Sequence, residues 1–190
     1  MSKDRCPWCG DDELYRSYHD EEWGVPLFDD LRLFEFLILE TMQAGLSWLT
    51  ILRKREGFRR ALDRFSPEKM ARFGNRKVEQ LLQDSSIIRN RKKIEGAIRN
   101  AKSYLQLLEN GVSFSDYLWS FVDGQPIVNT FRKMDQVPAS TPLSLKMSKD
   151  MKKRGFVFVG PTIVYAHMQA TGMVNDHLVS CFRYREISGD

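Results

Sequence analysis

The stretch Lys152-Lys153-Arg154-Gly155-Phe156-Val157-Phe158-Val159-Gly160-Pro161-Thr162 decides how the rest of the chain is read. Leu143 to Arg154 before it and Pro161 to Thr171 after it both carry apolar residues at helical spacing. Two glycines with four residues between them, in a mainly apolar run, suit a tight hairpin between two helices. Glycine permits positive φ and lets the backbone come close to a partner. The second helix opens at Pro161-Thr162, so its unpaired N–H groups and positive dipole end face outward and suit an anion. With Lys152, Lys153 and Arg154 just upstream, a DNA phosphate is the natural anion. An ordinary helical hairpin with a glycine stop fits these residues equally well.

Working outward, helix signals dominate. Asp29-Asp30 caps a helix through Leu33, Phe34, Leu37, Ile38 and Thr41 that ends before Gly45, and Ser47 caps the next, with Trp48, Ile51, Leu52 and Phe58 on its apolar side. Ser66-Pro67-Glu68 is a helix start, and Asn75 precedes Val78, Leu81 and Leu82. Arg91 to Leu108 carries an apolar residue every three or four positions and stops at Asn110-Gly111. Ser113 opens a helix through Phe121, and Asp176 to Phe182 is expected to be the last. Convincing two-residue alternation is nearly absent. Val122 to Pro142, with Gly124, Pro126, Pro138 and Pro142, reads as a surface connection with some extended backbone. The class is all-α, with many short helices.

Composition bounds the function. The 190 residues fit one domain, and 42% hydrophobic with 12% aromatic content excludes a disordered chain. No apolar run approaches the ~20 residues of a membrane span. Met1 to Trp8 lacks the apolar stretch of a secretory signal. Three cysteines do not make a disulfide framework, so the expectation is a soluble cytoplasmic protein with reduced thiols, without a membrane partner and monomeric. A net charge of +4 is too mild to imply a polyanion. The charge is clustered, however: Arg53-Lys54-Arg55 with Arg59-Arg60, then Arg89 with Arg91, Lys92 and Lys93, then Lys146, Lys149 and Lys152 to Arg154.

Three features can carry chemistry. His177 and Cys181 are four apart on the expected last helix and so face one side, while Cys6 and His19 lie near the other end of the chain. Four such ligands can complete a closed, structural tetrahedral zinc site that ties the termini together. Cys9, in Cys-Pro-Trp-Cys, competes with Cys6, and buried thiols with hydrogen-bonded histidines are the plainer reading. Glu40 lies among Phe36-Leu37-Ile38-Leu39 and Met42, and ionised it is a pure acceptor, suited to a purine amino group or a cation. Periodicity alone would place it on the outer face of its helix. Tyr15, Tyr18, Trp23 and Trp48 supply aromatic area, either for core packing or for stacking on an extruded base.

These pieces resemble one family in order and wording. Tyr15-Arg16-Ser17-Tyr18-His19-Asp20-Glu21-Glu22-Trp23-Gly24-Val25-Pro26 and Glu40-Thr41-Met42-Gln43-Ala44-Gly45-Leu46-Ser47-Trp48 resemble two signatures of the bacterial 3-methyladenine DNA glycosylase I family. Lys152 to Gly160 and Val174-Asn175-Asp176-His177 are similar to its hairpin and C-terminal motif.

The resemblance, from about Cys6 to Cys181, implies a helix-hairpin-helix glycosylase fold with two helical lobes around a base pocket. One lobe would be built from both termini and the other from about 30 to 140, with the hairpin at about 152 to 164. It implies hydrolytic excision of 3-methyladenine from alkylated double-stranded DNA. Glu40 would recognise the flipped base and support its departure, Tyr18 would add a hydroxyl, Trp48 would stack, and Trp23 and Tyr15 would line or support the pocket. Gln43, Gly45 and Leu46 would belong to the loop that fills the gap in the duplex, with Leu46 as its wedge. Gly155, Gly160, Thr162 and Lys153 would meet phosphate. Cys6, His19, His177 and Cys181 would hold one structural zinc, leaving Cys9 spare. Asn175 stands where the wider superfamily carries its catalytic aspartate, and Thr162 where some members carry a Schiff-base lysine. The activity implied is therefore monofunctional, leaving an abasic site. A non-catalytic zinc-stabilised DNA-binding domain, or a glycosylase for another damaged base, would share many of these residues.

Overall fold

The structure is a computed structural model that describes residues 4–189. Among the described residues the helices are α1 (Glu13–Glu21), α2 (Asp30–Gln43), α3 (Trp48–Ala61), α4 (Pro67–Met70), α5 (Asn75–Gln83), α6 (Arg91–Glu109), α7 (Phe114–Trp119), α8 (Pro142–Lys153), α9 (Pro161–Ala170) and α10 (Phe182–Ser188). Most begin where a short polar side chain accepts a hydrogen bond from the backbone three residues on. Asp29, Ser47, Ser66, Asn90, Ser113 and Thr141 all do this. α1 begins in the same way at Asp12 but was not expected, because its Tyr, Arg and His residues form no clean apolar stripe.

α2 is the centre of the molecule. It packs against α3, α6, α7 and α9, and Leu33, Phe34, Leu37, Ile38, Leu39 and Met42 have no exposed surface. Beyond its exposed first turn, α2 is buried at every position from 36 to 42, and a helix segment covered on all sides has no outer face. Glu40 is therefore 3% exposed, not a surface glutamate as periodicity alone suggested.

The last expected helix is corrected. Residues 176–181 are not helical, and the helix begins at Phe182. Just before them, Val174–Asn175 pairs in parallel with Ile127–Val128, the extended piece inside the expected connection. The Asn175 Oδ1 then accepts from the His177 N–H, an Asx turn that competes with helix. His177 and Cys181 thus meet through a turn, not through helical spacing.

α8 and α9 pack against each other across the 154–160 turn. Gly155 has φ +93°, and a Cβ there would sit 2.8 Å from the Ser103 hydroxyl. Gly160 departs from the expectation: its φ is −62°, and the second positive φ falls on the exposed Phe158. The space beside Gly160 is open. Asn100 holds the turn by both its amide groups, accepting from the Val157 N–H at 2.8 Å and donating to the Val157 carbonyl at 3.1 Å. No helix among the described residues is long and apolar enough to cross a membrane.

Candidate active site and metal centre

A cavity of about 280 Å³ opens between α1, α2 and α9. Tyr15, Tyr18, Trp23 and Trp48 line it, as the sequence suggested, with Glu40 and Gln43 from α2. Tyr18 and Trp48 lie 5.5 Å apart, centroid to centroid. Trp8 joins them, 5.0 Å from both Tyr15 and Trp23. The wall is therefore a continuous aromatic surface, suited to the face of a flat ring.

Two polar atoms in this wall are buried and have no hydrogen-bond partner: Glu40 Oε2 and Trp48 Nε1. Such atoms cost free energy in an empty protein, and at a cavity surface they mark where a ligand would compensate them. Burial pushes the Glu40 carboxyl up from 4.5 to about 8, so near neutrality the empty cavity favours its neutral form. The Tyr18 hydroxyl is held well above its ordinary range, first by burial and then by the Glu40 charge.

A second carboxylate, Asp176, faces the same cavity. Tyr165 Oη donates to its Oδ2 at 2.6 Å, Gln169 Nε2 to Oδ2 at 2.8 Å, and Asn129 Nδ2 to Oδ1 at 2.6 Å. Asn175 points elsewhere: its Nδ2 donates to the Tyr184 carbonyl and the Ser188 hydroxyl.

Cys6, His19, His177 and Cys181 come together in one buried cluster whose ligand atoms all lie within 4.8 Å of one another. Cys6 Sγ is 3.6 Å from His177 Nδ1, and Cys181 Sγ is 3.5 Å from both His177 Nδ1 and His19 Nε2. A tetrahedron with sulfur arms of about 2.3 Å and nitrogen arms of about 2.0 Å has edges of about 3.5 Å between S and N. Donor type, count and spacing therefore fit a closed zinc site. Both imidazoles have an outer partner, as metal-binding histidines usually do. His19 Nδ1 is 2.8 Å from Asp20, which Arg5 grips at 2.7 Å, and His177 Nε2 is 2.9 Å from the Trp23 carbonyl. Gly24, at φ +80°, makes room for this, since a Cβ would lie 3.0 Å from the His177 ring. Cys9 stays outside, its thiol donating to the Cys6 carbonyl.

The three basic clusters differ in what neutralises them. Arg53 pairs with Asp12, Arg55 with Glu22, and Arg59 with Glu35 and Glu56. Arg91 pairs with Glu79 and Glu95, while Lys93 is buried. In the third cluster Arg154 pairs with Asp150, but Lys146, Lys149, Lys152 and Lys153 are exposed and form no ion pair among the described residues. Thr162 is exposed at the open N-terminus of α9, next to this group. Gln43, Gly45 and Leu46 form the turn from α2 to α3, where Gly45 has φ +81° and Leu46 is 41% exposed.

The family model for methyladenine glycosylases matches residues 8–184. The chain belongs to the methyladenine glycosylase family. It is 51% identical over 181 residues to DNA-3-methyladenine glycosylase 1 of Escherichia coli (strain K12), covering 95% of this chain and 97% of the relative. A crystal structure of 3-methyladenine DNA glycosylase I matches with TM-score 0.93 at 51% identity, over 94% of this chain and 98% of that one. A tyrosine-to-phenylalanine variant of a 3-methyladenine DNA glycosylase I, solved in complex with 3-methyladenine, matches with TM-score 0.91 at 36% identity, over 94% and 96% of the two chains.

For this methyladenine glycosylase, sequence reasoning missed Trp8, Gln169, Ala166, Met134, Val137 and Pro138 as cavity residues. Trp8 lies in a short 3-10 turn, Pro7–Cys9, whose sequence carries no aromatic or helical pattern that points to a cavity. The others come from α9 and from the connection before α8, and their approach to α1 is a long-range event with no local signal. His167 on α9 is buried and within 3.0 Å of the Leu33 carbonyl, and burial draws its imidazole down to about 4. It is a packing residue.

Proposed function

We propose that this chain flips 3-methyladenine out of alkylated double-stranded DNA and hydrolyses its N-glycosidic bond, releasing the base and leaving an abasic site. The observation that carries the reading is the pair of partnerless polar atoms, Glu40 Oε2 and Trp48 Nε1, in an aromatic cavity. Adenine methylated at ring N3 and attached to deoxyribose is a cation, with an amino group to donate and a ring to stack. Glu40 offers a lone pair to that amino group, and Trp48, Tyr18, Tyr15, Trp23 and Trp8 offer ring faces. A cationic guest also offsets the burial of the Glu40 charge, so its arrival favours the ionised carboxylate.

The glycosidic bond breaks with its electron pair moving to the base, which leaves neutral. Water adds to the sugar carbon and gives up a proton. Because the leaving group is already activated, the step needs little acid assistance. That is consistent with Asn175 at the position of the superfamily aspartate and with an Asp176 committed to its three donors. With Thr162 in place of a Schiff-base lysine, strand cleavage is not part of the activity.

On this reading the α8–turn–α9 unit is the helix-hairpin-helix that meets phosphate through Gly155, Gly160, Thr162 and Lys153. Leu46 fills the vacated space in the duplex. Cys6, His19, His177 and Cys181 hold one zinc, which supplies structure and no chemistry because four protein ligands close its coordination. The protein acts as a cytoplasmic monomer. A DNA-binding domain without catalysis would need no partnerless carboxylate in an aromatic cavity.

Incubation with methylated duplex DNA, followed by identification of the released bases, tests the proposal. Free 3-methyladenine with uncut strands is the expected result. Release of no base, or of a different base in preference, would overturn it.

A further inference from the structure

Lys93 is a buried cation that the proposed chemistry does not use. It lies in the first turn of α6, 8% exposed, while its neighbours Arg91 and Lys92 are exposed. Its Nζ donates to the Met42 carbonyl at 2.9 Å and to the Ala44 carbonyl at 2.6 Å. These carbonyls end α2, where the backbone has no helical partner left and the dipole is negative. Among the described residues Lys93 makes no ion pair, so its charge is offset by this helix end alone. Burying an ammonium for two carbonyls is costly, and it is kept where position matters.

The two carbonyls flank Gln43, a cavity residue, and begin the turn that presents Leu46. The rest of that turn is also tied down. The Leu46 N–H donates to the Gln43 carbonyl at 2.6 Å, and Ser47 caps α3 by accepting from the Thr50 N–H. A large apolar side chain thus stands exposed at the apex of a short turn anchored at both ends.

We propose that Lys93 is a positioning residue: it clamps the end of α2 so that the turn holds Leu46 ready to enter the duplex. This rests on the function proposed above. Removing the clamp leaves Glu40 and the aromatic wall in place but lets the turn move, so the cost falls on work done in duplex DNA and not on recognition of the base.

The test uses Lys93→Met, which keeps length and apolar bulk, and Lys93→Arg, which keeps a cation able to reach two carbonyls. Single-turnover release from methylated duplex, fluorescence of a 2-aminopurine placed opposite the lesion, and binding of free 3-methyladenine are measured on both. Lys93→Met is expected to slow release about tenfold and to lose most of the fluorescence rise on binding, with affinity for the free base unchanged. Lys93→Arg is expected to recover most of both losses. The proposal falls if Lys93→Met releases base at the parental rate or loses free-base binding in parallel. It falls too if the Met variant does not fold, or if Arg is as impaired as Met. A parental protein that releases no 3-methyladenine is the separate failure of the functional reading.

Discussion

Glu40 and Asp176 are buried carboxylates that line one cavity, and they stand in opposite conditions. Asp176 accepts from Tyr165, Gln169 and Asn129 and joins α9 to the connection that precedes α8. Glu40 sits mid-helix in α2 with an oxygen that nothing reaches. A carboxylate whose lone pairs are filled holds the protein together. One left unfilled in an aromatic wall is free to take a donor from outside. The contrast separates architecture from recognition within a few side chains.

Glu40→Gln is the sharpest way to break the comparison. It is expected to reduce excision and free-base binding by about 100-fold or more, because the acceptor charge is lost at the point of recognition. The same substitution should not harm the fold. The Glu40 carboxyl lies at about 8 in the fold against an ordinary 4.5, so the folded state holds the proton more tightly than the unfolded chain. The stability it contributes is complete below about 4.5 and is lost as pH rises toward about 8, by roughly 1.4 kcal/mol per unit at most. Urea unfolding between pH 5 and 8 should show this decline in the parent and its absence in Glu40→Gln. An identical decline in both would place the titration elsewhere.

The Cys/His cluster, which we propose holds zinc, comes next. His177 carries both a ligand nitrogen and the contact to the Trp23 carbonyl, so it links the cluster to the aromatic wall. His177→Ala is expected to lose zinc and about 3 kcal/mol of stability. Tryptophan fluorescence should shift with the loss. A variant with parental melting and metal content would contradict the assignment.

Asp176→Asn should show the structural carboxylate for what it is. It leaves donors unpaired and is expected to cost about 2 kcal/mol in unfolding free energy, with activity falling much less than in Glu40→Gln. Equal losses of activity in the two variants would erase the distinction. The smallest effect belongs to the hairpin. Lys153→Ala should weaken binding to undamaged duplex a few-fold and reduce its log–log salt slope by about one, readable in a titration across ionic strength.

Much of this was legible beforehand where the cause is local. Caps at Asp29, Ser47, Ser66 and Ser113 announced their helices, since a cap acts within three residues, while Asn90 and Thr141 cap helices that were expected from apolar spacing alone. The cavity residues on α1 to α3 were legible through long motifs, and the Cys/His quartet through its ligand chemistry. The stretch 176–181 was misread as helix because its own residues say nothing of the extended pair before it, formed with a distant segment, or of the Asx turn at Asn175.

The sequence by itself determined that the chain is helical, where most helices begin, and which donors can bind a metal, because capping, periodicity and ligand type are properties of near neighbours. Only the tertiary structure decided that α2 lies at the centre, that Glu40 is therefore buried and partnerless, and that Asp176 is saturated. It also decided which arginines are matched by acids and which lysine is spent on a helix end. Burial and electrostatic pairing depend on what distant segments bring, and no local pattern encodes what will be packed against it.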